Sequence, residues 1–287
     1  MATDMENNEL KQEVRQFYDQ VGWVQVSEGI YQNARYEDLR PVSREYITRC
    51  HARIQRHIKP VGSYLLDAGS GPIQYPAYLE YSNNYKKRIC LDISITALQE
   101  ARNRIGDHGL FVVGDIAQLP FKDGVFDSVV SLHTIHHLPV DDHIPAYREM
   151  HRVTKPGCPA VMVNGWDNPP LVRLLNTPRL FYRRMQTGRK NKQQKIARKL
   201  DEGKGTHVKK YNAAWLKHEL SRYMDVDILV WRSVNVHFLR FYIRQKFFGR
   251  WLLNLLYVLE ELFPRFFGTV GAYPLIVVQD KKESKRE

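Results

Sequence analysis

Cysteine is scarce: Cys50, Cys90 and Cys158 are the only three in 287 residues, odd in number and far apart. That usage excludes a disulfide framework and a Cys-rich metal site. Cys90 lies inside an apolar run and reads as a small core filler. No other set of metal-ligating side chains stands out, so no metal is expected. Long hydrophobic runs are also missing. In the most apolar stretch, 235–271, the longest run without a formal charge is Trp251 to Leu259, far below the roughly 20 residues a spanning helix needs. Met1 to Asn8 is polar and acidic and lacks a signal-peptide pattern. With cysteines suited to a reducing setting, the expectation is a cytoplasmic protein. Internal repeats are absent.

The 43% hydrophobic content supports a sizeable core, and the length fits one α/β domain with insertions better than two full domains. The net charge of +12 is local: Arg173 to Lys210 holds thirteen basic and two acidic residues, a net +11. A charge so concentrated suits an anionic partner rather than the fold.

The chain is organised around Tyr64-Leu65-Leu66-Asp67-Ala68-Gly69-Ser70-Gly71-Pro72. Apolar residues without alternation, stopped by glycine, predict a strand buried on both faces that breaks into a tight turn. Such a turn at the carboxyl end of a parallel strand is where doubly wound sheets bind nucleotides. Asp92 ends the next apolar run, at a distance suited to a carboxylate that binds ribose hydroxyls. Asp115 ends a third, and Phe126 to Ser131 forms a fourth. Position 74 is Gln, so the Gly-x-Gly-x-x-Gly of nicotinamide-binding domains is not met.

From Tyr64 to Asn164 the chain resembles the class I S-adenosylmethionine-dependent methyltransferases, in particular the small-molecule ones. The resemblance rests on Asp67-Ala68-Gly69-Ser70-Gly71, Asp92, Gly114-Asp115-Ile116, Leu119-Pro120-Phe121, Phe126 to Ser131, His136-His137-Leu138 and Lys155-Pro156-Gly157. Ile73 departs from it, standing where the family often has a third glycine. The resemblance implies a Rossmann-like sheet of seven mostly parallel strands with helices on both faces. It also implies the cofactor S-adenosylmethionine. Asp67 with Ala68, Gly69, Ser70 and Gly71 would hold its methionyl end, and Asp92 its ribose. Ile93 would pack on adenine, and Asp115 and Ile116 would meet the adenine edge. Ser131 and Leu132 come off the fourth strand beside the transferred methyl.

His133 is the candidate general base, since an imidazole titrates near working pH. Tyr31, His136, His137, Asn164 and Trp166 are candidate acceptor contacts, and Tyr18 and Tyr36 candidate pocket walls. Further elements follow from periodicity and capping. Helices are predicted over Glu9 to Gln20, Pro41 to His57, Ile95 to Ile105 with Ser94 as its cap, Asp141 to Val153, and after the cap Asn212. The last strands are predicted at Pro159 to Val163, Val226 to Trp231 and Tyr273 to Gln279.

The organisation expected is a helical segment 1–60 covering the active site, a cofactor-binding domain 61–280 and a disordered tail 281–287. The domain carries insertions 171–210 and 235–271, expected to form a lid. The acceptor expected is a small or amphipathic molecule. The basic insertion suits an acidic head, and the aromatic one suits an apolar tail or contact with an anionic membrane surface. Two other readings stay open. One is an RNA methyltransferase tracking phosphates with 173–210, although the strand-four tail lacks the Asn/Asp-Pro-Pro-aromatic motif. The other is a non-catalytic cofactor-binding scaffold.

Overall fold

The computed structural model describes residues 2–23, 25–27, 30–31, 37–187, 207–245 and 248–281. Its centre is β3 (Gly62–Ala68), followed by the short helix α3 (Pro76–Leu79), β4 (Tyr85–Asp92), α4 (Ile95–Ile105), β5 (Gly109–Val113), β6 (Ser128–Leu132), α5 (His143–Val153) and β7 (Ala160–Val163). Before this core come α1 (Ala2–Phe17), the two-stranded β1 (Gln25–Ser27) and β2 (Ile30–Tyr31), and α2 (Pro41–Ala52). After it come α6 (Pro170–Thr187), α7 (Ala213–Leu220), β8 (Asp225–Arg232), α8 (Val236–Tyr242), α9 (Gly249–Leu262), α10 (Pro264–Val270) and β9 (Tyr273–Gln279).

The sheet runs β5-β4-β3-β6-β7-β9-β8. All pairs through β7 are parallel, and β9 lies antiparallel to both β7 and β8. Strand β3 pairs with β4 on one side and β6 on the other, so the order reverses there. The carboxyl end of β3 is thus the switch point where a crevice opens in such sheets.

Burial on both faces is visible residue by residue. Leu66, Leu91, Val129 and Met162 enter one core with α5 and α7, whereas Leu65, Cys90, Val130 and Val161 enter another with α4. Neighbours along a strand point to opposite faces, so a strand covered twice must be apolar at every position. A third cluster joins Tyr46, Ile47 and Cys50 of α2 to Leu239 of α8 and to Leu253 and Tyr257 of α9.

The predicted strands and most predicted helices agree with this architecture to within a few residues, but the first helix starts at Ala2, well before the predicted Glu9. Ser94 Oγ accepts from Ala97 N, and Asn212 Oδ1 accepts from Trp215 N, as caps do. Two differences matter. The segment 1–60 is not wholly helical, since β1 and β2 interrupt it. The helix predicted to start at Asp141 begins as a 3-10 turn, Val140–Asp142, and becomes α-helical at His143. Much of the basic insertion, residues 188–206, and the tail from 282 lie outside the described residues. No described helix is long and apolar enough to cross a membrane.

Candidate active site

The turn after β3 folds back onto β4: Gly69 N and Ser70 N both donate to the Leu91 carbonyl, at 2.7 and 3.1 Å. Gly69 takes φ +75°, and a Cβ there would stand 2.3 Å from Thr134 Cγ2. Only glycine fits such a bend, on conformation and on space. Ile73 takes φ +54° and is fully buried. A β-branched residue thus holds a left-handed backbone at the position where the sequence resemblance leads one to expect glycine, at a cost of roughly 1–2 kcal/mol.

Asp92 sits directly below this turn. Its Oδ2 accepts from Gly71 N and its Oδ1 from Ser94 N, both at 2.9 Å. Burial outweighs these two bonds and lifts the carboxyl to about 6. Asp67, Asp92 and Asp115 all line one cavity of about 380 Å³, with Ile93 and Ile116 among its apolar walls.

The three acids are not equivalent. Asp67 is buried in an ion pair with Arg88, whose Nη1 also donates to the Tyr78 carbonyl at 2.6 Å. Asp67 therefore braces β3 against β4 and α3. Asp115 accepts from Ala117 N at 2.8 Å and from Lys11 Nζ at 2.5 Å, and Lys11 also reaches Asp142 at 2.6 Å. Burial works against the Lys11 charge, but the two carboxylates overcome it and raise its pKa. Helix α1 is thereby clamped over the cavity, with Val14 and Phe17 facing in.

The opposite end of the cavity is built from distant parts of the chain. Glu37 and Arg232 form a buried ion pair there. His51 Nε2 stands 3.5 Å from the other Glu37 oxygen, and its ring stacks on Trp231 at 5.1 Å. Burial opposes the Glu37 charge, yet Arg232 and His51 bring its pKa down to about 2.

His133 follows β6 at φ +58° and meets Trp231 and Tyr273 edge-on. Burial, aided by the Arg232 charge, drives its pKa down to about 3. His136 is likewise held well below the usual imidazole range by burial and by His137. Burial lowers His137 to about 4, while its Nε2 meets Tyr18 Oη at 2.8 Å. Lys210 lines this end, its pKa depressed by burial, and has no hydrogen-bond partner among the described residues.

Of the residues predicted from sequence, Asp67, Gly69, Ser70, Gly71, Asp92, Ile93, Asp115, Ile116, Leu132, His133, His136 and His137 are brought together around the cavity, as is Tyr18. Four are not. Ala68 is fully buried in the core. Ser131 is buried off the cavity because side chains alternate along β6, and its Oγ has no partner. Trp166 belongs to the core and donates from Nε1 to the Gly268 carbonyl at 2.7 Å. Asn164 acts at one remove: its Oδ1 lies 3.3 Å from His136 Nδ1, and its Nδ2 donates to Tyr147 Oη. The Tyr31 side chain and all of Tyr36 lie outside the described residues.

The aromatic insertion is not a lid. None of the described residues of α8, α9 or α10 lines the cavity, because these helices pack behind it on α2 and β8. Sequence reasoning passed over Glu37, Arg232, Lys11, Thr134 and Lys210. Nothing in the spacing of Glu37 and Arg232, 195 positions apart, marks them as partners. Among the described residues no cluster suits a metal ion.

Residues 66–162 match the family model described as a methyltransferase domain. Norajmaline N-methyltransferase of Rauvolfia serpentina is 46% identical over 54 residues, which cover 19% of this chain and 18% of that protein. Among solved structures, the complex of DhpI with SAH superposes with a TM-score of 0.54 at 12% identity, covering 96% of this chain and 98% of that one. The [4+2]-cyclase SpnF superposes with a TM-score of 0.50 at 15% identity, covering 95% and 97%. The methyltransferase-domain match covers about a third of the chain, and that third carries the glycine bend, Asp92 and Asp115, which converge on one cavity.

Proposed function

We propose that the protein transfers a methyl group from S-adenosylmethionine to a small or amphipathic acceptor bound at the His133 end of the cavity. The observation that carries this reading is the continuity of one cavity from Asp92 and Asp115 to His133 and Lys210. The residues present fit the cofactor. Gly69 and Gly71 line the cavity with backbone that carries no side chain of its own, Thr134 and Trp23 packing against it, and Asp92 is a desolvated carboxylate suited to ribose hydroxyl donors. Asp115 is suited to an amino group, which Lys11 replaces here.

When bound, the sulfonium supplies a methyl group already activated toward a nucleophile. The chain's own work is then positioning and exclusion of water. Ile93, Ile116 and Phe17 wall the adenosyl end, and Tyr75, Tyr78 and Tyr273 wall the acceptor end. His133, with a pKa near 3, is neutral at working pH and a weak proton acceptor. In this reading it orients the acceptor by a hydrogen bond instead of removing a strongly held proton. Lys210, a partly buried amine with no hydrogen-bond partner among the described residues and only the Asp167 charge acting on it, favours an acceptor that carries or develops negative charge.

We read 61–280 as the catalytic unit, with 1–60 closing the adenosyl end through α1 and supplying Glu37 to the other end, and a cytoplasmic setting. The net +11 of 173–210 keeps RNA as a second reading. Similarity to a cyclase keeps a fate for the fold other than methyl transfer in view.

One experiment separates these. The protein is incubated with methyl-labelled cofactor and fractionated cell extract. Label in the small-molecule or solvent-extractable fraction supports the proposal, and label in RNA supports the second reading. S-adenosylhomocysteine binding without transfer in any fraction leaves the scaffold.

A further inference from the structure

Helix α9 is apolar on both faces, its Leu253 and Tyr257 packing inward with α2 and α8. Its inner face also buries a carboxylate: Glu260 is fully buried and accepts from Arg53 Nη1 at 3.0 Å, from Tyr46 Oη at 2.8 Å and from Ser233 N at 2.8 Å. Its outer face is apolar. Trp251, Leu255, Val258 and Leu262 follow each other at i, i+4, i+7 and i+11 and are exposed by 64, 41, 48 and 64%. Leu252 and Leu259 flank that stripe, and Phe266 of α10 extends it.

A helix that buries its charge and exposes a leucine–tryptophan stripe is not explained by packing within this chain. The entry to the helix points the same way. Phe248, just before α9, is held at φ +49° and is 85% exposed. A large aromatic residue kept in the left-handed region and in water at once is an outlier that calls for a partner.

Charge identifies that partner. From Ile228 to Leu259 there is no Asp or Glu, while Arg244, Lys246 and Arg250 gather just before and at the start of the helix. Arg244 and Arg250 are exposed at the end of α9 that carries Phe248. The two acids at the other end are occupied, Glu260 as above and Glu261 by Arg53 and Arg56. A protein partner with an apolar groove would suit the stripe alone. Rings and leucines bordered by the exposed Arg244 and Arg250 suit the interface of an anionic bilayer.

We infer that the outer face of α9, with Phe248 and Phe266, docks the protein on an anionic lipid surface. The inner face of the same helix is tied through Glu260 and Ser233 to the strand end that supplies Arg232 to the cavity, so docking would place the acceptor chamber near the bilayer. The inference goes beyond methyl transfer and does not depend on it.

The test is flotation of the full chain with vesicles of phosphatidylcholine alone or with a third phosphatidylglycerol, at low and high salt. Expected is binding to the anionic vesicles, weakened at least tenfold by salt and at least tenfold by Trp251→Ser with Leu262→Ser. Arg250→Glu should weaken it severalfold. Val61→Ser, an exposed apolar position at the amino end of β3, should leave it unchanged. Both serine variants alter solvent-facing side chains, and unchanged circular dichroism and thermal midpoint verify their folding. No anionic-vesicle binding, equal binding to both vesicle types, or full binding by the double variant would each overturn the inference. So would a wild-type dimer that the double variant converts to monomer while vesicles are ignored, because the stripe would then be a subunit interface.

Discussion

The two ends of the cavity are built on opposite plans. The adenosyl end is local: Gly69, Gly71, Asp92, Ile93, Asp115 and Ile116 sit at or just past the tips of three neighbouring parallel strands. The acceptor end is a composite, in which Glu37 follows β2, Arg232 ends β8, Tyr273 starts β9 and Lys210 precedes α7. Strand tips are placed by the sheet, so the first end inherits the rigidity of the fold. The second end must be held by its own interactions, and its strongest is the buried Glu37–Arg232 pair. One plan ties its residues to the sheet, and the other ties them to long-range side-chain pairs.

Removing one partner of that pair is the sharpest way to break the comparison. Arg232→Met would strand the Glu37 carboxylate in a site less than a tenth exposed, and breaking a buried pair costs about 3–5 kcal/mol. Chemical denaturation should show that loss, and adding Glu37→Gln should restore part of it. If the plans are separate, either variant, once folded, binds S-adenosylhomocysteine within a few-fold of wild type. A large change in that affinity would mean the two ends are one unit.

At the other end, Asp92→Ala should weaken S-adenosylhomocysteine binding by roughly 100-fold by calorimetry, the size expected for two hydrogen bonds to a charged group. Global stability should move little, because a buried carboxylate with its pKa raised to about 6 is itself held at a cost. A variant that unfolds instead would make Asp92 a structural residue.

The same pKa sets a pH dependence whose sign is fixed. In the proposed binding mode ribose hydroxyls donate to the carboxylate, so a proton on Asp92 would compete with the ligand. Affinity should be level above about pH 6 and fall as pH drops through it, by up to about tenfold per unit. Asp92→Asn should flatten that profile. A wild-type profile level down to pH 4.5 would place the ribose elsewhere.

Legibility in the sequence followed the same division. Strand ends, the glycine bend, and the Ser94 and Asn212 caps were readable because each depends on residues within a few positions. Ser131 shows the limit of that reading. It is next to the right residue, but alternation along β6 turns it away from the cavity while Leu132 faces it. Trp166 was misplaced for a related reason, since an indole near a strand end serves a pocket or a core equally well. Here its N–H finds the Gly268 carbonyl of α10. Glu37, Lys11 and Arg232 were illegible because their partners lie 104 to 195 positions away. Only the folded chain brings them into register.

His133 is where the two plans meet, and its effect is expected to be the smallest. It follows the last strand tip of the local end, with its backbone N–H donating to the Val163 carbonyl at 2.7 Å, while its ring belongs to the composite end. Burial and the neighbouring Arg232 hold the ring neutral, with a pKa of about 3. A general base of this kind would normally titrate near working pH and contribute 10²–10⁴-fold. A neutral positioning group would contribute far less. Imidazole resonances followed by NMR from pH 7.5 to 5 should show the His133 ring unprotonated throughout. His133→Asn, which tolerates the left-handed backbone, should leave S-adenosylhomocysteine affinity within about threefold, since no charge is lost. A ring that protonates near pH 6.5 would mean water reaches the acceptor end, and His133 would then regain the role of base.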